Sequence, residues 1–285
     1  MTAALSKIYR LCKTWAFMIY AVQINRFSRR PIVGDANCTV SLTTFGSRID
    51  SVFYTLESIG QGKVRPSRII LWVDDKDRFT SLPGSLIRLR ERGVEIILTE
   101  NYGPHTKYYP YVATQSLDSL PLVTADDDVI YARSWLVELL KVHNQFPNDI
   151  IAHRAHYVEV SGNAILPYRQ WSASNASVKR RNFATGVSGV LYPSAFQRYL
   201  RSQGSCFLDV APKADDIWLH VMSLRSDTAV RQVKSAPGHY LSIRGSQANN
   251  LWSSNVFSGG NDGQVHASYT KSDIAKLIEN EFPNS

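Results

Sequence analysis

Three consecutive carboxylates, Asp126, Asp127 and Asp128, follow the apolar run Leu122–Ala125 and are the side chains in this sequence most suggestive of chemistry. A short apolar run bounded by polar residues reads as a buried strand. Side chains alternate along a strand, so Asp126 and Asp128 are expected on one face and Asp127 on the other. Two carboxylates side by side repel unless a cation lies between them. Such oxygen ligands suit Mg²⁺ or Mn²⁺, which keep coordination positions for phosphate oxygens. The bland alternative is a solvated acidic turn. A second pair, Asp215-Asp216, precedes the apolar Ile217-Trp218-Leu219. A carboxylate there could remove a hydroxyl proton as general base, or simply sit well in the first turn of a helix.

Further candidates lie between these pairs. Lys107, after Gly103-Pro104, would serve as a phosphate counter-charge. Arg48 opens a helix after Thr43-Thr44-Phe45-Gly46, a position suited to base or phosphate contact and equally to a surface arginine. Gly186, Ser188 and Gly189 fall in a stretch where glycine permits close approach of backbone to ligand, and read as lining for a donor-sugar or acceptor pocket. His153 and His156 flank Arg154, but three residues of extended chain put them on opposite faces, so a shared metal is not expected.

The elements that must position these groups alternate from Asn37 onward. Strands are expected at Cys38–Thr44, Ser67–Val73, Val94–Leu98, Leu122–Ala125 and Asp149–Ala152. Helices are expected at Ile49–Ile59, Leu82–Arg92, His105–Leu117, after a Ser134 cap, near Ser194–Ser202 and at Ser272–Glu281. Repeated βαβ units imply a mainly parallel sheet with right-handed crossovers, whose ligands bind beyond the carboxyl ends of the strands. The stretch Ser161–Arg181 reads as an excursion or flexible loop, and Gly245–Gly263 as another loop.

The chain has 285 residues, 44% of them hydrophobic, enough to bury a substantial core in one large domain or two small ones. Cys12, Cys38 and Cys206 have no metal-type spacing and no disulfide framework, so a cytoplasmic setting is the simplest. The net charge of +8 suggests an anionic partner. Lys7, Arg10, Lys13, Arg26, Arg29 and Arg30 flank the apolar Trp15–Val22, which is too short for the roughly 18 residues of a membrane span. Two readings stay open for residues 1–33: peripheral contact with an anionic leaflet, or a helix packed on its own domain.

Taken in order, Ser41–Ile49, Ile70–Asp75, Tyr102–Lys107, Thr124–Tyr131, Thr185–Pro193, Ala214–Trp218 and Asn261–Gln264 resemble the motifs of bacterial GT-A-fold glycosyltransferases, particularly inverting, family-2-like enzymes of surface-polysaccharide biosynthesis. The resemblance covers roughly residues 38–270 and excludes the first 33. It implies an α/β fold with a Rossmann-like, mostly parallel central sheet flanked by helices. A basic segment, 1–36, would precede a single catalytic domain, 37–285, with a nucleotide-binding half (37–155) and an acceptor-binding half (156–285). It further implies a metal-dependent hexosyltransferase moving sugar from a nucleotide-diphosphate donor, UDP-linked, to a glycan or lipid-linked glycan of the cell surface or capsule. Mn²⁺ or Mg²⁺ would be held by Asp128 and Asp126, with the late histidine His266 completing the shell. Asp126 would alternatively hold the ribose, and Asp127 would face structure, acceptor or donor. Asp74 would contact the nucleobase, with Thr43, Thr44, Arg48 and Lys107 on the donor. Asp216 would be the base and Asp215 would orient the acceptor. The rivals are a sugar nucleotidyltransferase of similar fold, which should carry a glycine-rich phosphate loop, and a non-catalytic polyanion or nucleic-acid binder, for which no RNA-binding or zinc-finger signature is present. Nucleic acid is therefore not expected as a partner.

Overall fold

The structure is a computed structural model describing residues 2–115, 120–174, 177–243, 260–280 and 282. One long helix, α1 (Thr2–Phe27), leads into β1 (Ala36–Thr44), a 3₁₀ turn at Gly46–Asp50 and α2 (Val52–Gly60). There follow β2 (Pro66–Val73), the short α3 (Lys76–Thr80), α4 (Gly84–Glu91) and β3 (Val94–Leu98). After a 3₁₀ turn at Gly103–Lys107 come α5 (Tyr109–Thr114), β4 (Leu122–Thr124), β5 (Val129–Ile130), α6 (Trp135–Gln145) and β6 (Ile150–Ala152). The second half contributes β7 (Ala155–Tyr157), the hairpin β8 (Val160–Ser161) and β9 (Ala164–Ile165), then β10 (Ser172–Ala173) and β11 (Asn182–Ala184). It ends with β12 (Val190–Tyr192), α7 (Ser194–Gln203), α8 (Phe207–Val210), α9 (Asp215–Arg225), β13 (Val230–Gln232), β14 (Leu241–Ser242), α10 (Gly260–Ser268) and α11 (Lys271–Glu279).

Seven strands form the central sheet in the order β13-β6-β12-β4-β1-β2-β3, all parallel except β12. Alternation along β2 shows why it sits in the interior. Ile69, Leu71 and Val73 enter one core with α2, α4 and α6, whereas Ile70 and Trp72 enter the other with α5, α7 and α9. A strand buried on both faces must be apolar throughout, which is the pattern of a parallel sheet covered by helices. Thr39 and Ser41 of β1 are fully buried polar exceptions, and Ser41 has a positioning role in the site below.

Several expectations change. The helix expected over His105–Leu117 divides into a 3₁₀ turn and α5, and Leu117 lies outside the described residues. Ser134 precedes α6 but makes no side-chain cap hydrogen bond. The polar stretch 161–181 is not a plain loop. It carries β9 and β10, and Trp171 and Phe183 lock edge-to-face with ring centroids 5.1 Å apart. Of the loop expected at Gly245–Gly263, residues 245–259 lie outside the described residues, and the remainder opens α10.

The segment 1–33 resolves in part. Thr14, Ala21 and Asn25 of α1 are buried at helical spacing, facing α2 and α4. Asn25 Nδ2 donates to Glu57 Oε1 and to the Ser85 carbonyl, each at 3.1 Å, and Glu57 is fully buried against Arg92. The C-terminal half of α1 is therefore packed on the domain. The side chains from Leu5 to Lys13 are all exposed. No helix among the described residues is long and apolar enough to cross a membrane.

Candidate active site

Because β1, β2 and β4 run parallel, the ends at Thr44, Val73 and Thr124 lie along one edge of the sheet. The ladder between β1 and β4 stops at Ser41 and Thr124, and one further bond, from Ala125 N–H to the Ser41 carbonyl at 3.0 Å, closes it. The acidic triplet thus occupies a turn rather than a strand. Strand alternation does not separate its side chains; specific contacts do.

Asp127 turns inward. It accepts from Thr44 Oγ1 at 2.8 Å and Arg48 Nη1 at 2.7 Å and is 5% exposed. Thr55 Oγ1 lies 2.9 Å from the Asp127 carbonyl, and the Tyr131 hydroxyl accepts from the Asp126 N–H at 2.9 Å. On the far side, Ile243 N–H donates to the Asp128 carbonyl at 2.8 Å, where β14 pairs with β5. Held this way, the turn leaves Asp126 and Asp128 half-buried. Asp128 meets Arg48 Nη2 at 3.6 Å, and Asp126 meets Lys107 Nζ at 3.4 Å. Burial pushes the Asp128 carboxyl up to about 6, with Asp126 and then Asp127 adding to the effect and Arg48 opposing it.

Lys107 connects this turn to the second acidic pair. Its ammonium lies 2.9 Å from Asp215 Oδ2. Burial alone would discharge it, but Asp215, Asp126 and Asp216 together hold its proton far more tightly than usual. Its backbone is fixed by Ser41 Oγ, which donates to the Lys107 carbonyl at 2.7 Å while accepting from Trp72 Nε1 at 2.8 Å. Asp215 and Asp216 occupy the first turn of α9. Gly186 N–H donates to Asp216 Oδ1 at 3.0 Å. Even so, burial first and Asp215 second push the Asp216 carboxyl well above the carboxylate range, with Lys107 opposing. A Cβ on Gly186 would come 2.6 Å from Lys107 Nζ and 3.1 Å from Asp216 Oδ1, so a side chain there would displace one or both groups.

The structure therefore gathers Thr44, Arg48 and the triplet into one cluster and joins it through Lys107 to Asp215, Asp216 and Gly186. Other candidates sit apart. Thr43 Oγ1 donates to the Trp72 carbonyl at 3.3 Å, tying β1 to β2. Ser188 accepts at its carbonyl from Trp135 Nε1 at 2.9 Å, and Gly189, at φ +93°, lies where a Cβ would meet that indole at 2.6 Å. Those two residues shape the wall through Trp135 rather than touch the carboxylates. Asp74 is half-buried just beyond β2, and its carboxyl is raised by burial with Asp75 adding. His266 is exposed on α10 instead of in a loop. Sequence reasoning missed Ser41, Thr55 and Tyr131 as supports; the available signal was a hydroxyl at positions whose neighbours are all apolar.

No family model and no curated protein matches the sequence. Solved structures do. The mannosyltransferase PcManGT from Pyrobaculum calidifontis, solved with GDP-Man and Mn²⁺, aligns over 95% of this chain and 78% of its own, with a TM-score of 0.52 at 12% identity. S. aureus TarS 1–349 aligns over 87% of this chain and 72% of its own, with a TM-score of 0.50 at 11% identity. The fold is GT-A. A 4-diphosphocytidyl-2C-methyl-D-erythritol synthase from Anaerococcus prevotii also aligns, over 78% of this chain and 97% of its own, at a TM-score of 0.48 and 13% identity.

Whether this cluster suits a divalent cation depends on its donor set. Among the described residues no three His, Cys, Asp or Glu side chains converge on one point. Asp126 and Asp128 are two oxygen donors at the same turn, and Asp128 is burdened by like charge. That set fits Mg²⁺ or Mn²⁺, which bind through one or two carboxylates and take remaining ligands from water and substrate phosphates.

Proposed function

We propose that this chain transfers a glycosyl group from a nucleoside-diphosphate sugar, UDP-linked, to a glycan or lipid-linked glycan in cell-surface polysaccharide assembly, with inversion and with Mn²⁺ or Mg²⁺. The observation that carries the reading is the Lys107 bridge, which sets a carboxylate pair fit for a cation beside a carboxylate fit for a base, in one side-chain cluster of a GT-A fold.

Asp126 and Asp128 would hold the cation, which when bound offsets the negative charge gathering on the departing diphosphate. Arg48 is fixed by Asp127 beside the turn and would present positive charge toward the donor phosphates. Asp74 and Thr44, on neighbouring strand ends, would border the nucleoside. Asp216 has one oxygen engaged by Gly186, and its other oxygen would receive the acceptor hydroxyl proton as the nucleophile attacks the anomeric carbon. A base opposite the leaving group gives single displacement and inversion. Asp215, held by Lys107, would orient the acceptor. The same reading places the protein in the cytoplasm, with α1 resting peripherally on the inner leaflet.

Calorimetric titration of UDP with and without Mn²⁺ tests the donor assignment. Saturable UDP binding that needs the cation and is lost in Asp128→Ala is the expected result. Binding that ignores Mn²⁺, together with tight RNA binding, would replace this reading with that of a polyanion binder.

A further inference from the structure

Arg154 differs from every other buried or half-buried arginine among the described residues. Arg48, Arg68, Arg92, Arg180, Arg225 and Arg231 each meet a carboxylate, and the rest donate to an amide oxygen or a backbone carbonyl. The Arg154 guanidinium is half-buried with no carboxylate of the described residues within 4.0 Å; its partner is His156 Nε2 at 3.4 Å. A guanidinium can only donate, so the imidazole accepts and His156 is neutral. Burial, and Arg154 itself, depress the His156 ring from its ordinary value, which agrees with that assignment. A half-buried guanidinium whose one partner is a neutral imidazole has further N–H donors, in a geometry that suits an oxyanion.

The position of Arg154 indicates which oxyanion. The residue lies just beyond β6, and its carbonyl accepts from Thr185 N–H at 3.0 Å and from Thr185 Oγ1 at 3.3 Å. The next residue, Gly186, is the one whose N–H holds Asp216. The Tyr168 ring stands 6.0 Å from the His156 ring. After burial, the largest influences on the Tyr168 hydroxyl are Asp216, which raises it, and Arg154, which lowers it. Arg48, by contrast, is held by Asp127 within the acidic triplet, and Lys107 is held between the triplet and Asp215.

We propose that Arg154, steadied by His156 beside the Tyr168 ring, binds an oxyanion carried by the acceptor, a carboxylate or phosphate close to the hydroxyl that Asp216 deprotonates. The acceptor is then an acidic glycan or a phosphate-bearing chain rather than a neutral sugar. This deepens the transferase reading and rests on it.

The test titrates the full chain, with UDP and Mn²⁺ saturating the donor side, against glucuronate and glycerol 1-phosphate, with glucose and glycerol as neutral counterparts. Isothermal calorimetry should detect saturable millimolar binding of at least one anion. Affinity for it should fall at least about tenfold in Arg154→Ala and less in Arg154→Lys, which keeps the charge but loses the bidentate fork. UDP affinity should stay within twofold or so in both variants, and a thermal melt confirms that each is folded. Equal affinity for anions and their neutral counterparts would overturn the proposal. A loss of UDP affinity in Arg154→Ala would also overturn it, by assigning the guanidinium to the donor diphosphate. Should wild-type protein fail to bind UDP at all, the transferase reading falls instead, while the anion titration without UDP still reports on Arg154.

Discussion

At the scale of single residues, the site is a balance between five carboxylates and two cations, and protonation is where the balance shows. In the proposed role of base Asp216 must be without its proton, and burial beside Asp215 makes that proton hard to lose. The acid limb of kcat/KM for glycosyl transfer should therefore lie well above the value near 4 of an ordinary carboxylate, activity rising with pH as Asp216 ionises. Asp216→Asn should keep nucleotide binding and lose roughly 10²–10⁴-fold in kcat. A pH profile already flat from about 5 upward would refute the assignment. Asp128 makes a complementary stability argument. Its folded value, about 6, exceeds its unfolded one, so the folded state holds the proton more tightly and stability falls as pH rises between roughly 4 and 6. Above that window the penalty is complete. Asp128→Asn should thus raise the unfolding free energy at neutral pH by roughly 1–3 kcal/mol while removing cation-dependent UDP binding. Urea denaturation of both proteins at pH 7.5 and near pH 4 decides it, since the gain should vanish at the lower pH.

At the scale of elements, each acidic cluster depends on backbone placed by a neighbouring segment. The Gly186 turn is the tightest of these placements, because its missing side chain leaves room for Lys107 and Asp216. Gly186→Ala should force the ammonium and the carboxylate to shift by a few tenths of an ångström or more, and misplacement near 1 Å can cost about 10²-fold. We expect a large fall in kcat with a melting temperature only a few degrees lower, measured by single-turnover assay and calorimetry. Unchanged turnover would mean that the contact is incidental. Much of this arrangement was legible in the sequence. Strand Val94–Leu98 is bounded as expected, and the parallel sheet follows from apolar runs alternating with helical periods. The conformation of the triplet was not legible, because a three-residue strand offers too little periodicity to show where the ladder with β1 ends. Nor was the order within 161–181, since Trp171 gains its packing from Phe183, a contact that no local pattern announces. Arg154 escaped notice for the same reason: a missing partner can be seen only once the fold has brought the candidate partners into place.

At the scale of the whole molecule, charge is unevenly spread, and the unevenness separates the GT-A domain from its amino-terminal helix. Residues 1–34 contain six arginines and lysines and no acidic residue, leaving a net charge of +2 for the rest out of +8. The same helix carries Leu5, Ile8, Tyr9, Leu11, Trp15, Ile19, Tyr20, Val22 and Phe27 exposed, most of the large apolar side chains exposed among the described residues. Apolar surface interleaved with positive charge suits the interface of an anionic bilayer. Because Asn25 and Ala21 are packed while Leu5 to Lys13 are exposed, removing residues 1–13 should spare the fold and the candidate site. That truncation loses Lys7, Arg10 and Lys13, each worth about 1 kcal/mol against an anionic surface at low salt, together with four exposed apolar side chains. Co-sedimentation with phosphatidylglycerol-containing vesicles should fall by at least about tenfold, and UDP binding should not change. Neutral phosphatidylcholine vesicles should retain neither form strongly, and raising salt should release the full-length chain over the range in which surface charge is screened. Equal sedimentation of the two proteins would place any membrane affinity on the GT-A domain and leave the projecting half of α1 to some other contact.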